Sequence, residues 1–146
     1  GCGAVSARAV ERGRVRSSTT MDPADELTSA AATGNAELVR TLLESGVAAN
    51  GLNRFGRTAL QVMMMGSVPV ARLLLSHGAD PNLGDPLTGS TPLHDAARLG
   101  FLDTVRLLVR FGARVHATDR NIQRPVDLAQ QNGHVDVEAF LRSCRM

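Results

Sequence analysis

Leu38, Val39, Leu42 and Leu43 form an apolar i, i+1, i+4, i+5 stripe, the pattern of a helix that buries one side. The same columns return as Val70, Ala71, Leu74 and Leu75, then as Thr104, Val105, Leu108 and Val109, and finally as Val137, Glu138, Leu141 and Arg142. A glycine precedes each stripe, at Gly34, Gly66, Gly100 and Gly133, in steps of 32, 34 and 33 residues. A period in this range predicts stacked helix-turn-helix units that bury their apolar sides on one another. Glu138 and Arg142, in columns that are otherwise mostly apolar, suit a terminal unit whose outer side faces water.

Local signals place the helix ends. Thr91-Pro92 suits an N-cap and first helical position, because the hydroxyl accepts a free backbone N–H and proline has none there to leave unpaired. Gly100 suits the end of the same helix, since glycine enters the left-handed region at little cost. Laid over one another, LTSAAATGNAELVRTLLESGVAAN, GRTALQVMMMGSVPVARLLLSHGADPN, GSTPLHDAARLGFLDTVRLLVRFGARVH and QRPVDLAQQNGHVDVEAFLRS share the T-P-L-H-x-A-A-x-x-G and G-A-D skeleton of ankyrin repeats. The expected fold is an all-α ankyrin solenoid of four helix-turn-helix repeats joined by β-turn or hairpin connections. The repeats span about 25–52, 53–84, 85–118 and 119–146, within a domain of residues 21–146. Residues 1–20 show no helical periodicity and no apolar core of a secretory signal. Their Arg- and Ser-rich composition leaves three readings, a transit peptide, a translated leader before Met21 or an artificial extension, and in each a disordered leader outside the domain is expected.

Composition narrows the function. The chain is 43% apolar with four Phe and neither Trp nor Tyr, so its core must be built from Leu, Val, Ala and Met. Residues 1–20 carry four Arg against Glu11, a local charge of +3, which leaves the other 126 residues at −1 of the net +2. The repeat body therefore lacks the basic footprint that nucleic acid requires. All sixteen basic residues are Arg; with no Lys, ubiquitin could attach only at the amino terminus or at unusual residues, although GC-rich codon bias accounts for the same composition. Cys2 and Cys144 give neither a disulfide framework nor metal-ligand spacing. With no glycosylation sequon, a reduced, intracellular protein is expected. No apolar run is long enough to cross a membrane. Phosphate-binding, metalloprotease, nucleophile-elbow and kinase motifs are all missing, so no enzyme activity and no cofactor are expected.

The informative positions are those where the repeats disagree. Thr58 to Gly66 is 8 residues, against 9 for Thr91 to Gly100 and for Arg124 to Gly133, so the second repeat has a shortened first helix. Met63, Met64 and Met65 replace the compact alanines found elsewhere, either as adaptable binding surface or as core filler. Asp95 stands in a column that holds Val62 and Leu128. An unpaired buried carboxylate is costly, so Asp95 must reach Arg98, a partner's arginine or open surface. Asp85 lies in a linker one residue longer than its equivalents and, with Asp95 and Glu37, could form an acidic edge around the short repeat. Asp85-Pro86 is also ordinary turn chemistry. Glu37, Asp103 and Asp136 each open a second helix, where a carboxylate favours the helix N-terminus. His94 is expected to make a structural hydrogen bond.

The blocks MDPADELTSAAATGNAELVRTLLESG, NRFGRTALQVMMMGSVPVARLLLSHGADPN, HDAARLGFLDTVRLLVRFGARV and RPVDLAQQNGHVDVEAFLRS resemble the ankyrin-repeat inhibitors of cyclin-dependent kinases 4 and 6, in particular the short four-repeat tumour-suppressor members. That resemblance implies binding across the two kinase lobes through repeats two and three. It also implies allosteric loss of cyclin D affinity and ATP-site alignment, a brake on entry into S phase, a monomeric state, and a cytoplasmic and nuclear location. Asp95 matches the family acid that pairs with a kinase arginine, and Asp85 matches a second acid at the lobe boundary. Glu37, Phe55, Gln61, Met63, Met64, Arg98, Phe101 and Asp103 lie in matching blocks. Leu27 stands where some relatives have Trp, and Gly84 and residues 87–90 depart from the family linker. A generic ankyrin adaptor for another protein, such as a transcription factor, is the competing reading.

Overall fold

The computed structural model describes residues 21–144, and the leader assigned to residues 1–20 lies outside them. Eight helices are present among the described residues: α1 (Pro23–Ala32), α2 (Ala36–Glu44), α3 (Ala59–Val62), α4 (Val68–Ser76), α5 (Pro92–Leu99), α6 (Leu102–Arg110), α7 (Pro125–Gln131) and α8 (Val135–Ser143). They pair within repeats as α1 with α2, α3 with α4, α5 with α6, and α7 with α8. The second helices form a continuous row, α2 on α4, α4 on α6 and α6 on α8. The first helices do not: α3 packs on α1, and α5 on α7, but α3 makes little contact with α5. The connections are turns, with no strand among the described residues.

The apolar stripes are the core. Val39, Leu43, Val70, Leu74, Val105, Leu108, Val137 and Leu141 are all buried, and Leu27, Leu60, Leu93 and Ala129 supply the matching side from the first helices. Thr104 occupies an apolar column but is fully buried because its hydroxyl donates to the Met65 carbonyl oxygen at 2.6 Å. Asparagines tie one repeat to the next. The Asn50 side chain donates to Gly78 O at 3.0 Å and accepts from Asp80 N at 2.7 Å; Asn82 repeats this with Gly112 O at 3.1 Å and Arg114 N at 2.8 Å.

Helix ends follow the local chemistry. Thr58 and Thr91 cap α3 and α5 in capping boxes closed by Gln61 and His94. The fully buried His94 ring joins Thr91 and, from Nε2, the Gln123 carbonyl oxygen at 2.8 Å, so it locks the third repeat to the turn of the fourth. Gly100 ends α5 in the left-handed region at φ 85°. Gly66 has another role: it is not left-handed, and a Cβ there would lie 3.1 Å from the Phe101 ring. The shortened repeat ends its helix at extended Met63 instead, and glycine is kept at position 66 for space. Helix α1 starts at Pro23, ahead of the Asp25 boundary.

One column breaks the turn rule. Gly56 and Gly89 adopt φ 77° and 72°, and the equivalent residue of the fourth repeat is Ile122 at φ 61°. A β-branched side chain in this region costs about 1–2 kcal/mol.

Candidate protein-interaction surface

The turns that open repeats two, three and four are each built on one acceptor side chain. Asn53 Oδ1 accepts from Phe55 N at 2.8 Å and Arg57 N at 3.1 Å, Asp85 Oδ1 from Leu87 N at 2.8 Å and Thr88 N at 3.3 Å, and Asp119 Oδ1 from Asn121 N at 2.9 Å and Gln123 N at 3.0 Å. Such side-chain turns fix a loop without regular structure. Asp85 is set apart by Arg57, whose Nε and Nη2 reach its two oxygens at 2.7 and 3.3 Å. The hydrogen bond from Arg57 holds the Asp85 carboxyl below its ordinary pKa against the opposing effect of burial, and the Leu87 and Thr88 N–H groups add to the shift.

Asp95 sits in the first turn of α5, where its Oδ1 accepts from Ser90 Oγ at 2.9 Å and Arg98 Nη2 at 3.1 Å. Its side chain remains 24% exposed, and that of Arg98 is 47% exposed, so this pair can open toward solvent. The apolar column at Asp95 therefore does not force the carboxylate into the core. It leaves it at a rim with an internal cation, as the sequence allowed. The expected acidic edge is not bare, because Asp85 and Asp95 are both paired with arginines of the chain; Glu37 is exposed in the first turn of α2.

The remaining candidates separate by accessibility. Phe55 is 64% exposed at a turn tip, with the Arg54 guanidinium 5.4 Å from its ring centre. Its carbonyl accepts from Arg57 Nη1 at 3.4 Å, which links it to the Asp85 pair. Phe101 and Asp103 share a hollow with Gly66 and Gly100 at the α5–α6 bend. Met64 is 48% exposed, whereas Met63 is 3% exposed and Met65 is also buried. Met63 is thus a core residue at the end of the one-turn α3, and its side chain is not accessible to a partner, contrary to expectation. Gln61 is half-committed in the same sense, since it accepts from Thr58 N at 2.8 Å and donates to Leu83 O at 3.0 Å.

Sequence reasoning missed Arg57 and Ser90, which position the two carboxylates. Arg57 and Asp85 are 28 residues apart, so no helical spacing joins them. The only signal was a lone base just before the Thr58 cap.

Residues 17–85 and 64–145 match the family described as ankyrin repeats (3 copies). Over 117 residues the chain is 59% identical to human "Cyclin-dependent kinase 4 inhibitor B", covering 80% of this chain and 85% of that protein. The chain belongs to the ankyrin-repeat cyclin-dependent kinase inhibitor family. Other relatives agree with this placement. "Cyclin-dependent kinase 4 inhibitor B" of Bos taurus is 58% identical over 118 residues, covering 81% of this chain and 90% of that protein. Human "Cyclin-dependent kinase inhibitor 2A" is 54% identical over 125 residues, covering 85% of this chain and 80% of that protein.

Proposed function

We propose that this chain binds cyclin-dependent kinases 4 and 6 through repeats two and three and inhibits them allosterically. The observation that carries the reading is Asp95: a part-exposed carboxylate, oriented by Ser90 and held by an exchangeable surface arginine, within an inhibitor family. A kinase arginine replaces or joins Arg98 at Asp95, while Asp85 and Phe55 extend the contact along the adjoining turn. Glu37, Met64, Phe101 and Asp103 complete the accessible set. An inhibitor of this kind acts by binding the inactive kinase arrangement more tightly than the cyclin-bound one. Cyclin D affinity and ATP-site alignment fall together, which restrains passage from G1 into S phase. The inhibitor acts as a monomer in the cytoplasm and nucleus.

The deciding experiment is calorimetric titration of the chain against purified cyclin-dependent kinases 4, 6 and 2, with Asp95→Ala alongside. Selective binding to the first two, weakened by about 2 kcal/mol in the variant, supports the proposal. Absence of binding to all three favours an adaptor for another protein.

A further inference from the structure

The row of second helices carries its own surface, on elements that do not include Asp85 or Asp95. Arg40, Arg72 and Arg106 occupy one column on α2, α4 and α6, and Arg110 follows one turn later on α6. All four are exposed. Glu37, Glu44 and Asp103 are near them in sequence. Even so, the ion pairs among the described residues are Arg57–Asp85, Arg98–Asp95, Arg124–Asp127 and Arg142–Glu138, none of which uses these four arginines.

Three hollows run across this face and share the arginines in series. The first lies between Arg40 and Arg72 over Val68 and Leu73, and the second among Arg72, Arg106 and Arg110 over Leu107. The third lies beside Arg106 and Arg110 against Val109 and Phe140. The Arg106 guanidinium stands 5.5 Å from the centre of the Phe140 ring. The result is one groove with an apolar floor and a guanidinium ladder along it.

We infer that this groove binds an extended acidic peptide segment of a partner protein, with carboxylates at every third position and apolar residues between them. Packed helices lie about 8–10 Å apart, and a chain in the extended polyproline II form rises about 3.1 Å per residue with three residues per turn, so every third side chain falls on one face. A carboxylate at each third residue therefore meets the arginine of each successive helix. Guanidinium groups suit this ligand because they present a planar fork to carboxylates. The apolar floor and the single carboxylate of Asp103 among the three arginines of the middle hollow favour spaced acids over the dense phosphates of nucleic acid. Residues 1–20 are excluded as the occupant by charge, since they hold four Arg and one Glu.

The test is fluorescence anisotropy with the full chain and a labelled peptide bearing Glu at every third residue and Leu or Val between. A second peptide of identical composition has its Glu residues in one block. The expected result is binding of the spaced peptide that weakens with added salt, and affinity about fivefold lower for Arg72→Glu and for Arg106→Glu. Arg114→Glu, an exposed reversal away from the groove, leaves affinity unchanged. Melting curves confirm that each variant is folded. Equal affinity for the two peptides, tighter binding of duplex DNA than of the spaced peptide, or an equal loss in Arg114→Glu overturns the proposal. Absence of peptide binding at low salt overturns it as well.

Discussion

Arg57 Nε lies 2.7 Å from Asp85 Oδ2 and joins the turn that opens the second repeat to the turn that opens the third. The pair spans the place where the first-helix row is interrupted, because α3 is one turn long and barely touches α5. Side-chain electrostatics there supplements the packing that a full-length helix would provide.

The pair makes stability depend on pH in a defined direction. Asp85 has a depressed pKa in the folded state, from the Arg57 hydrogen bond first and the turn N–H groups after it. Its contribution is therefore fully present above the unfolded aspartate pKa and is lost as pH falls through the lower folded value. Asp85→Asn should lower the urea midpoint at pH 7, and its difference from the wild type should shrink as the pH is taken below the ordinary aspartate value of 3.8. A difference that stays constant from pH 7 to pH 2.5 would contradict this assignment.

Ile122 adopts φ 61° while 79% exposed, so its backbone strain is not offset by burial. Asn tolerates the left-handed region without glycine's extra unfolded-state entropy. Ile122→Asn should stabilise the chain by about 1 kcal/mol, whereas Ile122→Val, which keeps the β-branch, should not. Chemical denaturation of the two variants in parallel separates strain from any effect of side-chain size.

Met63 and Met64 should behave differently. Met63→Ala removes a buried side chain and should cost about 2–5 kcal/mol, while Met64→Ala should change the midpoint little. Met64→Ala should instead show its effect in kinase titration. Comparable destabilisation by both would place Met64 in the core.

Leu74→Ala and Asp95→Ala form a complementary pair. Leu74 is fully buried on α4 between neighbouring repeats, and its truncation should cost about 2–5 kcal/mol of stability. Kinase affinity measured well below its melting transition should be retained. Asp95 holds an exposed ion pair, whose loss should cost less than about 1 kcal/mol of stability. Its kinase affinity should fall. Equal losses of folding and binding in Asp95→Ala would make its role structural.

The repeat architecture was legible because it rests on local signals of short range. Thr91-Pro92, Gly100 and the i, i+4 leucine stripes act within one turn or one helix, and the structure places caps and buried columns where those signals lie. The shortened α3 was also readable, as a missing residue before Gly66. Tertiary structure decided what residues at equal sequence merit would do. Met63 and Met64 are adjacent and chemically identical, yet one is buried and the other exposed, because the chain leaves α3 extended at Met63. Arg98, three residues on in the same helix, was readable as a partner for Asp95, whereas Asp85 looked like a free member of an acidic edge until the stacking brought Arg57, from a turn 28 residues away, onto it. Sequence periodicity fixes which side of a helix is apolar, whereas the partner of a charge is set by which turns the stacking brings within about 3 Å.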